Sequence, residues 1–199
     1  MKTAGKRAHA LGHPIVIDPV GVSGSSYRRE KCLELMKIIH PTCIRGNYSE
    51  IQALLHNCGT VTGVDAAEDA LAEAEETDLP ELMKQYAKEN QMILVASGEI
   101  DLITDGSCVY RCHNGSPMMA RITGSGCMST VMLGAFLSAE NSVESAVACC
   151  AFTGIAGELA AKEMTAQKRG TMTFRNWFID AVSLMTPEQL EHGTDVDWF

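Results

Sequence analysis

The sequence predicts an α/β fold, a mostly parallel central sheet with helices on its faces, and three observations carry that expectation. Short β-branched apolar runs alternate with amphipathic stretches of helical period. The runs end at turn-forming residues such as Asp18-Pro19 and Gly46-Asn47. No internal repeat, low-complexity tract or Pro/Gly-rich linker divides the 199 residues, so a single domain, 1–199, with a full core is expected.

Taken in order, residues 1–11 read as a helix, and "PIVID" (14–18) as a buried parallel strand. Residues 26–39 put Cys32, Leu33, Met36 and Ile39 near one helical face, and "TCIRGN" is the next strand. Asn47 then caps a helix, with Glu50 three residues on, where its side chain reaches back to the cap. "LPELMKQYAKEN" is a further helix, and "MILVAS" (92–97) is the most strand-like run. "EIDLITDGSCVYRCHNG" holds two short strands joined at Asp105-Gly106, so antiparallel strands are expected beside the parallel core.

From Ser125 the pattern is helical nearly to the end. Met128, Val131, Met132, Ala135 and Phe136 recur at spacings of three and four, the expected buried face of the first of these helices. Asn141 with Glu144 reads as the cap of the next, whose Gly154 and Gly157 imply close packing. Thr186-Pro187-Glu188-Gln189 starts a short last helix.

Composition removes several classes of function. Lys and Arg total 16 against 25 Asp and Glu, and no basic cluster interleaves with aromatics, so nucleic acid and anionic membrane surfaces are poor partners. The first 18 residues carry basic side chains but no continuous apolar segment or cleavage-like site, the pattern of neither a secretory signal nor a membrane anchor; a cytoplasmic protein is expected. Eight cysteines, at 32, 43, 58, 108, 112, 127, 149 and 150, sit mostly in apolar runs and read as reduced thiols filling core space. Cys108, Cys112 and His113 lack a second Cys or His pair at zinc-finger spacing, which favours a structural role. There is no G-x-x-x-x-G-K-[ST], which excludes a P-loop NTPase.

The chemistry gathers around "RITGSGCMSTVMLGAF". Gly124 and Gly126, immediately before a helix, free backbone amides to converge on an anion, and the helix dipole adds positive potential. Cys127 falls in or near the first turn, where a thiol of ordinary pKa about 8.5 shifts toward thiolate and can accept a hydroxyl proton. The alternative is a small buried helix residue. Asp18 ends a strand at the carboxyl edge of the sheet, where open α/β folds place ligands, and suits Mg2+ or a turn cap. Arg45 suits a phosphate, and Glu50 is either a second Mg2+ carboxylate or the capping-box partner of Asn47, or both. Ser97 is expected at the same sheet edge as Asp18, bonding a phosphate or the turn backbone. An arginine, two carboxylates, a hydroxyl and a glycine-lined anion hole suit phosphoryl transfer, in which positioning and charge neutralisation do most of the work.

The ordered motifs "VIDPVGVSGSSYR", "PTCIRGNYSEI", "ILVASGEIDLITDG" and "ARITGSGCMSTVMLGAFL", then "GIAGELAA" and "TFRNWFIDAVSLMT", closely resemble those of hydroxyethylthiazole kinases, a ribokinase-like family, across essentially the whole chain. The resemblance implies a three-layer α/β/α sandwich and transfer of the ATP γ-phosphate, with Mg2+, to the alcohol of 4-methyl-5-(2-hydroxyethyl)thiazole in thiamine biosynthesis and salvage. By the same resemblance Arg45 and Ser97 contact nucleotide, Ser97 replacing a threonine. Asp18 and Glu50 associate with metal, and Gly124 to Cys127 form the anion hole, with Gly124 also touching substrate. Cys127 stands where other ribokinase-like kinases carry aspartate. The family has further strand–helix units ahead of the position of Met1, which carry most of the thiazole pocket, so an N-terminally shortened fold is expected. A homotrimer with active sites between subunits is implied where the full fold is present. Two other readings stay open: a ribokinase-like kinase for another small alcohol, and an inactive nucleotide-binding or assembly subunit.

Overall fold

The computed structural model describes residues 1–57 and 79–199, and its backbone groups into two compact units, Met1–Ala96 with Thr104–Val109 and Ser97–Ile103 with Tyr110–Phe199. In the first unit β1 (Val16–Ile17) runs parallel to β2 (Cys43–Asn47), in the register Val16↔Cys43 and Ile17↔Ile44. β3 (Ile93–Ser97) lies beside β2, and the Ile93 N–H donates to the Thr42 carbonyl at 2.9 Å. Among the described residues this unit holds four helices: α1 (Lys2–Ala10), α2 (Ser26–Ile39), α3 (Tyr48–Asn57) and α4 (Leu79–Asn90). α2 starts where the Ser25 hydroxyl accepts the Arg28 N–H, and stops at His40, whose φ of 47° turns the chain out of the helix. Its buried side chains are Leu35, Met36 and Ile39. Cys32 and Leu33, expected on that face, are only half-buried, and Leu35 is buried instead.

The turn between the expected hairpin strands holds Gly106 at φ +98° against α4, where a Cβ would lie 2.6 Å from the Lys88 backbone. Only glycine meets both conditions. Those strands are β4 (Asp101–Thr104) and β5 (Val109–Cys112). In the second unit β5 pairs antiparallel with β6 (Val196–Trp198), through Tyr110↔Trp198, Arg111↔Asp197 and Cys112↔Val196. β6 has no counterpart in the sequence reading, since three residues after a helix carry no measurable period. A bidentate ion pair holds it: Arg111 Nε and Nη2 donate to the two Asp197 oxygens at 2.6 and 2.9 Å.

The helical half comprises a 3₁₀ turn (Pro117–Arg121), α5 (Ser125–Ala139), α6 (Val143–Ala166), α7 (Thr171–Leu184) and α8 (Pro187–Gly193). Ile122, Ala156, Ala160, Phe174 and Phe178 make its buried centre, with Met119, Met128 and Met132 packed around them. α6 is long and apolar enough to cross a membrane by length and composition alone, yet it is a core helix whose Cys149 to Thr153 and Gly154 to Gly157 segments are largely buried. Gly154 and Gly157 explain how: a Cβ on Gly154 would lie 2.5 Å from Asn114 Cβ, and one on Gly157 2.5 Å from Met119 Sδ. The expected close packing is thus present, with named partners.

Two local readings are corrected. The α6 cap is Ser142, whose hydroxyl accepts the Ser145 N–H at 3.2 Å, one residue beyond the expected Asn141; Glu144 instead sits in the first turn, where it favours the dipole. The buried line of α5 is Ser129, Leu133 and Leu137, while Val131 is 75% exposed and Ala135 is exposed. α5 is apolar on almost every face, so three- and four-residue spacings exist for several faces and do not choose among them. The Thr186 box holds as expected: its hydroxyl accepts the Gln189 N–H and the Gln189 carbonyl accepts the Thr186 N–H.

Candidate functional site

In the first unit the β1/β2 register does the positioning. Ile17 pairs with Ile44, so the next residues stand level: Asp18, just past the end of β1, and Arg45, the middle residue of the parallel β2. Arg45 is only 8% exposed, which keeps a permanent positive charge in a largely desolvated place. Two residues on, Asn47 closes β2 and caps α3: its Oδ1 accepts the Glu50 N–H at 2.9 Å, and Glu50 Oε2 accepts the Asn47 N–H at 3.0 Å. This is the expected capping box.

Glu50 also does something the sequence reading lacks. Its other oxygen, Oε1, accepts the Gly21 N–H at 2.7 Å, which ties the loop after Asp18 to the first turn of α3. Two arginines of α2 grip the same loop: Arg28 Nη1 donates to the Val20 carbonyl at 3.2 Å and Arg29 Nε to the Val22 carbonyl at 3.1 Å. Pro19 packs onto Gly46, where a Cβ would lie 3.1 Å from Pro19 Cγ and 3.2 Å from Glu50 Cβ. Asp18 therefore leaves the sheet on a loop held from three sides. Arg28, Arg29 and Gly46 are the members missed from sequence; their one signal is a glycine beside a charged residue in "IRGN" and in the "SYRRE" run after "GVSGS".

Among the described residues no three His, Cys, Asp or Glu side chains gather into a metal cage. Mg2+ is commonly held by one or two carboxylates together with phosphates and waters. Asp18 and Glu50 are hard oxygen donors of the right kind, and each Glu50 oxygen has capacity for a second partner beyond its backbone N–H.

In the second unit Ser97, half-buried, precedes a turn that Asp101 closes by accepting the Gly98 N–H at 3.0 Å. The glycine turn is built as the sequence implied. Gly124 is the N-cap of α5 at φ +95°, a left-handed conformation suited to glycine, and no side chain caps the helix. The first helical bond runs from the Met128 N–H to the Gly124 carbonyl at 2.9 Å, which makes Ser125, Gly126 and Cys127 the first three helical residues. Their N–H groups point out of the helix start, where the dipole is positive. Cys127 is exposed, so the small buried helix residue is ruled out for it. Among the other described cysteines Cys43, Cys112, Cys149 and Cys150 are buried, as expected of core thiols, and Cys32 and Cys108 are intermediate; Cys58 lies outside the described residues. Burial pushes the Cys112 thiol up to about 12, which keeps it neutral and inert.

An arginine and a carboxylate level on neighbouring parallel strands in one unit, and a glycine-capped helix start with a cysteine in its first turn in the other, belong to an α/β scaffold of the ribokinase-like class. Residues 1–188 match the profile of the Hydroxyethylthiazole kinase family, and the chain belongs to that family. It is 36% identical over 194 residues to a hydroxyethylthiazole kinase of Clostridium acetobutylicum, covering 96% of this chain and 71% of the relative. Hydroxyethylthiazole kinase 1 of Methanosphaera stadtmanae is 38% identical over 190 residues, with 92% and 67% covered. The solved structure of the hydroxyethylthiazole kinase protein from Pyrococcus horikoshii superposes with a TM-score of 0.82 at 26% identity, over 99% of this chain and 70% of that one.

Proposed function

We propose that this chain phosphorylates the hydroxyl of 4-methyl-5-(2-hydroxyethyl)thiazole with ATP and Mg2+, a step of thiamine biosynthesis and salvage. Family membership supports the reaction class and the acceptor. The observation that carries the chemistry is Cys127, an exposed thiol in the first turn of a helix that begins on glycine. The acceptor oxygen attacks the γ-phosphorus, the bond from that phosphorus to the β–γ bridging oxygen breaks, and ADP leaves. Cys127, as thiolate, takes the hydroxyl proton as the new P–O bond forms. The amides of Gly124, Ser125, Gly126 and Cys127 stabilise the transferring phosphoryl group, and Gly124 also borders the substrate. Arg45 and Ser97 contact the nucleotide phosphates. Asp18 and Glu50 hold Mg2+, which when bound neutralises phosphate charge. The chain acts as one kinase domain, in the cytoplasm and as a homotrimer.

The test is ATP-dependent formation of the thiazole phosphate, followed by phosphorus NMR and by ADP release. Cys127→Ala is expected to lower kcat by about 10²- to 10⁴-fold with the fold retained. Well-folded protein without turnover would sink the proposal, and sedimentation at the monomer mass would remove the trimer.

A further inference from the structure

The first turn of α5 is held in place by a side chain with no assigned part in the chemistry. Ser125 Oγ donates to the Met119 carbonyl at 2.8 Å and shares its single proton with the Ile122 carbonyl at 3.3 Å. Both carbonyls belong to the 3₁₀ turn and the residue after it, and that turn is itself anchored on α6. At its start Glu158 Oε1 accepts the Gly115 N–H at 2.8 Å and the Asn114 amide at 3.2 Å, while Ser116 Oγ caps the turn by accepting the Met118 N–H. Farther along, Met119 packs over Gly157, where a Cβ would lie 2.5 Å from the Met119 Sδ. From the other side the buried Ser129 hydroxyl donates to the Ser125 carbonyl at 3.0 Å. The Ser125 hydroxyl thus ties the first residue of the helix to a turn that is itself anchored. The intervening residues are Thr123 and Gly124, and the φ of +95° at Gly124 gives the chain no intrinsic preference that would hold the helix start without that bridge.

We propose that Ser125 is a positioning residue, whose hydroxyl sets the aim of the Ser125, Gly126 and Cys127 amides and of the Cys127 thiol. This rests on the kinase reading for its effect on turnover, but not for its effect on the thiol. Losing the bridge lets the helix start tilt, and a misplacement of this kind lowers the rate of a positioned reaction far more than it changes ground-state binding.

The experiment uses the full chain and four proteins: wild type, Ser125→Ala, Ser125→Thr and Ser125→Val, the last two being of equal shape with and without the hydroxyl. Steady-state kinetics of thiazole phosphorylation give kcat and KM, and the rate of Cys127 alkylation by iodoacetamide at one fixed neutral pH, read by peptide mass spectrometry, gives the reactivity of the thiol. Ser125→Ala and Ser125→Val are expected to lose about 10- to 100-fold in kcat with KM within about 3-fold, while Ser125→Thr stays close to wild type. The alkylation rate of the Ala and Val variants is expected to fall by about 2- to 5-fold as the amide dipoles turn away from the sulfur. Equal kcat in Thr and Val variants, or an unchanged alkylation rate in Ala and Val, overturns the role of Ser125. Wild-type protein without turnover removes the kinase reading instead, and the alkylation rates then decide the Ser125 proposal alone.

Discussion

Replacing Glu50 with alanine separates its two roles. The substitution removes both oxygens at once, leaving the Asn47 N–H without its box partner and the Gly21 N–H without the 2.7 Å bond that pins the loop after Asp18. Loss of a helix cap costs about 1 kcal/mol. A part-buried N–H left unsatisfied costs about 1–3 kcal/mol, so the sum is about 2–4 kcal/mol. For a chain of this length that corresponds to a fall in Tm of about 4–16 °C. The measurement is thermal unfolding by circular dichroism without Mg2+ or ATP, where a metal ligand has nothing to hold. Glu50→Gln keeps one acceptor and turns an amide N–H2 toward a backbone donor, so its Tm is expected between the two. A Glu50→Ala protein that melts within about 1 °C of wild type refutes the argument, since a residue that served the metal alone would leave unliganded stability unchanged.

Three glycines of the helical half respond differently to alanine. Gly154→Ala drives a Cβ against the Asn114 backbone, at 2.6 Å from its carbonyl carbon and oxygen, and is expected to cost about 1–3 kcal/mol in urea unfolding. Gly157→Ala meets the movable end of Met119 and costs less, whereas Gly134→Ala, with nothing within 4 Å, stabilises by about 0.5–1 kcal/mol; a destabilised Gly134→Ala would refute that ranking. The Arg111 guanidinium, with a smaller share from His113, holds the Asp197 carboxyl below its ordinary value of 3.8. Its contribution to β6 is therefore complete above that pH and is lost as pH falls through the lowered value of the folded state. Hydrogen-exchange protection of Val196–Trp198 is expected to drop in that acid range, and at neutral pH in Asp197→Asn; equal protection in the variant would refute the strap. At neutral pH iodoacetamide is expected to label Cys127 well before Cys112, whose thiol burial pushes up to about 12, and early labelling of Cys112 would contradict that burial.

Much of the fold is legible in the sequence because it is local. α2 and α4 fall on the stretches 26–39 and "LPELMKQYAKEN" assigned from the sequence, and the Thr186 box needs only residues three apart. β6 is not legible, because its partner β5 lies more than 80 residues away and its Arg111–Asp197 pair is a contact of the folded chain. The face of α5 is not legible either, since an apolar residue at every second or third position offers several faces and only packing selects Ser129, Leu133 and Leu137.

The candidate site divides along the same line. By itself the sequence determined the residue types: a glycine cap before Cys127, the Asn47–Glu50 box, an aspartate ending a strand and an arginine within the next. These follow from short-range geometry, in which a side chain meets backbone three or four residues away. Tertiary structure decided that Cys127 is exposed, that Asp18 and Arg45 stand level, that Glu50 reaches across 29 positions to Gly21, and that Ser125 hangs the helix start on a turn anchored to α6. Burial and long-range hydrogen bonds depend on which segments pack together, and that is a property of the whole folded chain rather than of any stretch of it.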